Sequence, residues 1–315
     1  MKNFAITGVA GYIAPRHLQA IKDTGNNLIA AIDPHDSVGI LDRYFPQASF
    51  FTEIERFDRH LEKLRRSTNH QAIDYLTVCS PNHLHDAHIR LAFRLHADAV
   101  CEKPLVIKPS NLDALQELES EYGQKVYNIL QLRTHERIIA LKESILADTS
   151  NKKHDVNLTY ITSRGPWYKY SWKGVSEKSG GISTNIGIHF FDMLIWIFGK
   201  VQDFKVHVFE ENRASGFIEL ENANIKWFLS IDADDLPAEA IEKNQRTFRS
   251  IQVDGNEIEF SEGFTDLHTK IYEKILQGDG FGSEEARAAI ELVYRFNFAK
   301  PVLDKERAHP FLYRR

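Results

Sequence analysis

The chain is poor in cysteine and has no block of one charge sign. Two cysteines occur in 315 residues. A small disulfide-stapled scaffold needs a dense, even set of cysteines, so that class is excluded. Cys79 and Cys101 close two apolar runs and read as small core residues in a reducing compartment. Net charge is −5, from 39 basic and 44 acidic residues that are interspersed, so no basic footprint marks a nucleic-acid or anionic-membrane binder. No apolar run reaches membrane-spanning length, and no signal-like segment precedes the first strand pattern. A cytoplasmic protein is expected. Internal repeats, low-complexity tracts and a Pro/Gly/Ser-rich linker are also missing, although the length suggests two domains.

The first part of the chain alternates strand and helix patterns. Phe4 to Thr7 is a short apolar strand, followed by Gly8-Val9-Ala10-Gly11-Tyr12-Ile13-Ala14 and a helix from about Pro15 to Thr24. Proline suits a first helical turn, where its missing N–H would be unpaired anyway. Leu28 to Ile32 is a second strand, closed by Asp33. Strand, glycine turn, helix, strand, acid is the context of a dinucleotide-binding fingerprint. The spacing is GxxGxxA, with Ala10 where a glycine is usual. Glycines allow close approach of a pyrophosphate to a helix N-terminus, and the acid accepts hydrogen bonds from the ribose. A carboxylate at Asp33 repels a 2′-phosphate, and Pro34, His35, Asp36 and Ser37 offer no arginine to offset it. NAD is therefore favoured over NADP, with Arg43 the one cation further on that bears on the choice.

The stretch from Ala72 to Leu105 organises this half. Ile73, Tyr75, Leu76 and Val78 form a strand that stops at Ser80-Pro81, because proline cannot continue a central strand. His88, Leu91, Ala92 and Leu95 recur at helical spacing, and Ala97 to Cys101 suits a strand buried on both faces. The two strand ends bring Ser80, Asn82 and His85, and Glu102 and Lys103, to one edge, where open α/β sheets bind ligands. A helix from Asn111 to Tyr122 stops at Gly123, and Lys125 to Leu130 reads as a last strand. The expected division is 1–128 and 129–315. In the second part, Val156 to Ser163, Asp203 to Glu210, Gly216 to Leu220, Ile225 to Asp232, Phe248 to Val253 and Glu257 to Phe260 read as strands. Asp254-Gly255 reads as a hairpin turn, and Ile186 to Phe198 and Asp266 to Leu276 as helices. The fold class is α/β: an N-terminal Rossmann domain followed by an α+β domain with a mostly antiparallel open sheet.

Glu102-Lys103-Pro104, Ser80-Pro81-Asn82 with His85, Gly180-Gly181 through Gly187, His189 and Asp192, and the turn at Gly8 occur in the order of a known family. In these motifs the chain resembles the glucose-fructose oxidoreductase / inositol dehydrogenase / rhizopine-catabolism family of NAD(P)-dependent sugar oxidoreductases. The segments Tyr127–Arg133, Thr159–Gly165, Trp172–Gly174, Thr184–Gly187 and 260–268 resemble its UDP-2-acetamido-2-deoxyglucuronate 3-dehydrogenase branch. That resemblance implies oxidation of the 3-hydroxyl of a UDP-linked amino uronic acid by tightly held NAD. It also implies recycling by 2-oxoglutarate, a place in bacterial surface polysaccharide (O-antigen) biosynthesis, and a homotetramer built through the second domain's sheet.

The expected cofactor residues are Gly8, Gly11, Tyr12, Ile13, Asp33 and Ser37 from the first two strands. Ser80, Asn82, His85, Glu102, Lys103 and Gln131 complete the set. Lys103 and His189 are both assigned to the substrate hydroxyl, one as base and one as hydrogen-bonding partner, and sequence leaves the choice open. A free lysine, with pKa about 10.4, needs burial or a nearby cation to act as a base, whereas an imidazole already titrates near neutrality. Arg133, Arg164 and Lys173 suit an anionic substrate, and Trp167, Tyr168 and Trp172 suit a uracil or sugar face. Asn185 stands where the family usually has aspartate; an amide can only hydrogen-bond, so it reads as a positioning residue. Asp192 could orient His189. His83, His85 and His88 with Asp86 lack a third ligand at a recognised spacing, so no metal is expected. Two alternatives remain: the same fold acting on a free sugar or inositol, and a nucleotide-sugar sensor without catalysis.

Overall fold

The structure is a computed structural model describing residues 1–67, 71–150, 152–258 and 266–313. It separates into two compact units, Met1–Thr134 with Phe264–Arg287, and His135–Gly263 with Ala288–Arg315.

The first unit holds β1 (Asn3–Thr7), β2 (Asn27–Ile32), β3 (Ser49–Phe51), β4 (Tyr75–Val78), β5 (Asp98–Cys101) and β6 (Val126–Asn128). They form one sheet in the order β3-β2-β1-β4-β5-β6, every pair parallel. This is the doubly wound order, which reverses at β1/β4. The crossovers carry α1 (Ala14–Asp23), α2 (Ile40–Tyr44), α3 (Ile54–Arg66), α4 (His85–Arg94) and α5 (Pro109–Tyr122). Gly123 ends α5 in the left-handed region at φ 70° and returns its N–H to Glu119 O, a stop that a side chain would strain. β4 and β5 carry apolar residues on both faces because helices cover both sides.

The second unit holds α6 (Glu136–Ala147), β7 (His154–Thr162), α7 (Trp167–Tyr170), α8 (Ser176–Ser179), α9 (Ile188–Phe198), β8 (Val201–Phe209), β9 (Arg213–Leu220), β10 (Ala223–Ser230), α10 (Ala238–Glu242), β11 (Thr247–Val253) and β12 (Asn256–Glu257). The sheet order is β12-β11-β7-β10-β9-β8, antiparallel except for the β7–β10 pair. Asp254 and Gly255, both at positive φ, make the hairpin turn between β11 and β12. Strand alternation splits β10 between two cores. Trp227 packs on Phe191 and Phe296, while Phe228 faces His309 and Phe311 of the C-terminal segment.

Two expectations need correction. The chain divides after Thr134 rather than at residue 128, and the second part is not continuous: α11 (Leu267–Leu276) belongs to the first unit. Its apolar stripe of Leu267, Ile271, Tyr272 and Ile275 is buried, with Tyr272 5.7 Å from Phe4 and Phe4 stacked 4.9 Å from Tyr75. Each such side chain is worth about 1.5–3 kcal/mol when buried, enough to draw the segment back. α12 (Ser283–Phe296) follows and crosses the division. Secondly, the run Ser176–Phe198 is long and apolar enough to cross a membrane by length and composition, and 72% of it is buried inside the protein. Its apolar part, Ile186 to Phe198, is mostly buried, as in a core helix of a globular protein. The part of the strand expected at 257–260 that covers 259–260 lies outside the described residues, as does most of the 260–268 segment.

Candidate active site

In the first unit the carboxyl ends of β1, β4 and β5 lie side by side. Cys79 N donates to Thr7 O at 2.9 Å and Glu102 N to Val78 O at 3.0 Å. These bonds line up the Gly8 turn, the Ser80 turn and Lys103 at the switch-point edge. Gly8 has φ +77°, and a Cβ there would stand 2.5 Å from Cys79 O. α1 starts at Ile13 without a side-chain cap and has no acidic residue in its first turn. Its positive dipole end, with no acidic residue in the first turn, suits an anion. Asp33 closes β2 and is buried, accepting from Ala10 N at 3.0 Å and His35 N at 2.9 Å. Those bonds hold the carboxylate at the turn and leave further lone pairs for a donor. Gln131 Oε1 is buried with no protein partner. A close-approach glycine, an uncapped helix, an oriented acid and an orphaned acceptor together fit a dinucleotide. Tyr12 is 92% exposed beside the turn, and Ile13 and Gly11 are half-buried. Ser37 is exposed on the loop after Asp33.

Lys103 is half-buried in a loop fixed on every side. Asn128 Nδ2 donates to Cys101 O at 3.2 Å, and Lys103 N donates to Glu102 Oε2 at 3.2 Å. His85 sits between the Ser80 turn and the Lys103 loop, with Nδ1 2.7 Å from Pro104 O and Nε2 2.8 Å from Ser80 O, and a neutral ring donates to one of these two carbonyls. Ser80 Oγ meets His88 Nδ1 at 2.8 Å. Burial, with the neighbouring His85 and His83, lowers the His88 pKa to about 4, so this imidazole is neutral at working pH. Asn82 is buried in the same turn.

Glu102 does not point to the sheet edge. Its Oε1 accepts from His17 Nε2 at 3.0 Å and lies 3.2 Å from His268 Nε2, all three side chains being buried. Burial opposes its ionisation, but the bonds from His17 and His268 outweigh that and hold the carboxyl well below its usual range. The expectation that Glu102 contacts the cofactor is replaced by an inward role. Arg133 is also turned inward: Nη2 donates to Glu285 O at 2.9 Å, and the guanidinium lies 5.3 Å from the Phe281 ring. His17, His268 and Tyr272 escaped sequence reading. His17 carried a signal, being a polar residue on the apolar stripe of α1.

In the second unit, Ser183–Gly187 is a π-helical turn leading into α9, a wider turn that often accompanies functional positions. It carries Asn185, whose Nδ2 donates to Tyr168 Oη at 2.7 Å. His189 follows in the first turn of α9, against Phe190 at 4.1 Å and Tyr160 at 6.0 Å between ring centroids. Trp167, Trp172 and Lys173 cluster, with Lys173 Nζ 4.4 Å from the Trp172 ring and 5.9 Å from Trp167. Arg164 is exposed, and its backbone N–H holds Ile231 O at 2.9 Å. Asp192 is buried rather than solvent-facing. One cation was passed over: the Arg249 guanidinium lies 5.8 Å from Tyr160 and 5.9 Å from Phe190, the rings beside His189. Its signal was a charge in register with Ile251 and Val253 on the inward face of β11.

Residues 2–129 match the oxidoreductase family with an NAD-binding Rossmann fold (GFO_IDH_MocA), and residues 152–228 match its C-terminal alpha/beta domain. Among curated proteins, the Bacillus subtilis protein YteT is 26% identical over 129 residues, 40% of this chain. Myo-inositol 2-dehydrogenase of Thermotoga maritima is 26% identical over 128 residues, 41% of this chain. These matches span 30% and 37% of the length of those relatives. Among solved structures, the WlbA (WbpB) dehydrogenase of Thermus thermophilus is 50% identical, with a TM-score of 0.94 over 99% of this chain and 100% of that one. That protein was solved with NAD and alpha-ketoglutarate, and again with NAD and UDP-GlcNAcA at 49% identity, with a TM-score of 0.94 over 99% of this chain and 100% of that one. Domain by domain and end to end, the chain belongs to the glucose-fructose oxidoreductase / inositol dehydrogenase / MocA family of oxidoreductases.

Proposed function

We propose that the protein oxidises the 3-hydroxyl of UDP-2-acetamido-2-deoxyglucuronic acid to a ketone with NAD as acceptor. The observation that carries this reading is the end-to-end likeness to a dehydrogenase solved with NAD and UDP-GlcNAcA. NAD, when bound, takes the hydride from C3. The chain's own residues do the rest. The Gly8 turn and the α1 N-terminus receive the pyrophosphate, and Asp33 receives the ribose hydroxyls. Lys103 and His189 are the two candidates for the hydroxyl proton, which leaves as the C3–H bond breaks and the C=O forms. Asn185 and Tyr168 hold the sugar by hydrogen bonds. Lys173 and Arg249 meet the substrate's negative charges, and Trp167 or Trp172 offers a face to uracil. A carboxylate or phosphate gains more from a guanidinium in a half-buried site than in water.

The product ketone at C3 suits an aminotransferase, and the proposed setting is synthesis of diacetamido-uronic acids of bacterial surface polysaccharide in the cytoplasm. 2-Oxoglutarate is the proposed oxidant that returns bound NADH to NAD, in line with the alpha-ketoglutarate complex of the Thermus protein. The proposed assembly is a homotetramer. The likeness to myo-inositol 2-dehydrogenase supports a runner-up, oxidation of a free polyol, but it reaches only 41% of this chain.

The test is turnover of UDP-2-acetamido-2-deoxyglucuronate with 2-oxoglutarate and a coupled aminotransferase. A 3-amino product from wild type, and none from Lys103→Ala with NAD still bound, is expected; loss of a positioned acid–base group costs about 10²–10⁴-fold. Turnover of inositol with none of the UDP-sugar would move the reading to the runner-up, and full activity of Lys103→Ala would remove Lys103 from the mechanism.

A further inference from the structure

The loop that carries Lys103 is anchored from below by a buried polar chain. Thr77 Oγ1 lies 2.9 Å from Tyr272 Oη, which lies 2.8 Å from His17 Nδ1. His17 Nε2 and His268 Nε2 lie 3.0 and 3.2 Å from Glu102 Oε1. Glu102 Oε2 accepts the N–H of Lys103 at 3.2 Å. The members come from β4, α1, the end of β5 and α11, and the side chains of Thr77, His17, Glu102, His268 and Tyr272 are all buried.

Counting donors fixes the direction of every bond. An ionised carboxylate only accepts, so both imidazoles present Nε2–H to Glu102. Burial, against the bond to Glu102 that opposes it, lowers the His17 pKa and keeps the ring neutral. Nδ1 of His17 is then an acceptor, which obliges Tyr272 to donate its hydroxyl. The Tyr272 oxygen in turn accepts from Thr77. With His17 neutral, the bonds from Thr77 through Tyr272 and His17 to Glu102 all run in one direction. His17, Glu102 and His268 also have ligand types and spacing suited to a metal ion. The hydrogen-bond chain accounts for the same contacts at ordinary N–H···O lengths.

A buried ion network of this kind is seldom the cheapest way to hold helices to a sheet, since apolar side chains of similar volume do it as well. What the network supplies is direction. It sets the Glu102 carboxylate, whose second oxygen holds the backbone of the next residue. Asn128 on Cys101 O and His85 toward Pro104 O fix the flanking residues. We infer that His17, His268 and Tyr272 are positioning residues that act through Glu102 to hold Lys103 at the geometry its proton transfer requires. This rests on the proposed role of Lys103.

Both donors to Glu102 are Nε2 atoms, the place that a glutamine amide nitrogen can occupy. The test therefore compares His268→Leu with His268→Gln, and uses Tyr272→Phe as a milder variant that removes only the hydroxyl fixing the His17 ring. Wild type is assayed first with the UDP-sugar; absence of turnover there overturns the reading of function and this inference with it. With wild type active, His268→Leu should lose about 10–100-fold in kcat, the range expected of a misplaced reacting group, with KM and NAD affinity within about 2-fold. His268→Gln should regain most of that loss. Tyr272→Phe should lose about 3–10-fold in kcat, as for one lost hydrogen bond, and it decides the matter if His268→Leu does not fold. Unchanged kcat per folded molecule with only a lower Tm would assign the network to stability alone. Stoichiometric bound metal with chelator-sensitive activity would make it a metal site, and either result overturns the inference.

Discussion

Arg249 stands against the two rings that flank His189. A guanidinium pre-ordered by aromatic faces loses little side-chain freedom when it meets a carboxylate. Arg249→Gln removes the charge but keeps a hydrogen-bond donor. It should raise KM for the UDP-uronate about 10–100-fold, the worth of one charged hydrogen bond, and leave kcat at saturation and NAD affinity near wild type. Steady-state kinetics on the UDP-uronate and its uncharged UDP-N-acetylglucosamine counterpart would check this; an equal effect on both would remove Arg249 from carboxylate recognition. At this scale the sequence was legible wherever a residue sat in a local motif. Lys103, Asn185 and His189 were named because their neighbours in the chain define their setting. Arg249, His17 and His268 were not, because what makes them notable is another element brought against them by tertiary packing. Glu102 was named for the wrong reason: the motif reveals the residue, and only the fold reveals that its side chain turns inward.

The turn between β1 and α1 depends on one backbone conformation. Gly8 sits at φ +77°, and any Cβ would meet the Cys79 carbonyl at 2.5 Å. Both the left-handed dihedral and the backbone clash act against Gly8→Ala, and the struck atom is main chain, which cannot swing aside. Gly8→Ala should therefore destabilise the protein by about 1–3 kcal/mol, and weaken NAD binding more than it weakens binding of the UDP-sugar. Chemical denaturation with calorimetric titration of NAD would measure both; wild-type NAD affinity would mean the turn does not receive the cofactor. The elements of the first unit were largely readable, since buried parallel strands and their glycine or proline stops are local signals. β3, α6 and α12 were passed over. β3 is only three residues long and none of its residues is buried. α12 carries Glu284 and Glu285 in its first turn and Arg287 just after, which mask its apolar stripe. The return of α11 to the first unit was invisible because its amphipathic pattern states that a face is buried and not against what.

Over the whole molecule, acid should unfold the protein earlier than carboxylate protonation alone predicts. Burial is the leading cause that lowers the pKa of His17, His85, His88 and His207 in the folded state. Each of these binds its proton more readily in the unfolded chain, whose histidines titrate near 6.5. As pH falls through 6.5, the unfolded state gains protons that the native state refuses, so stability falls with decreasing pH. The loss ends for each group at its own folded pKa, about 4 for His88. That one residue accounts for on the order of 2 kcal/mol after allowance for its partial exposure. Glu102 extends the effect to lower pH, since its folded carboxyl lies well below 4.5 and its stabilisation is lost as it protonates. No histidine among those with a resolved shift is raised, so nothing from that set offsets the slope. Urea midpoints measured at pH 8, 6.5, 5 and 4 should be level down to about 6.5 and then fall. His88→Asn keeps a polar group near Ser80 but does not titrate, so its midpoint should fall less between pH 6.5 and 4 than that of wild type. A wild-type midpoint that stays flat from pH 6.5 to 5 would mean that these rings are hydrated in the folded protein and carry no stability linked to their burial.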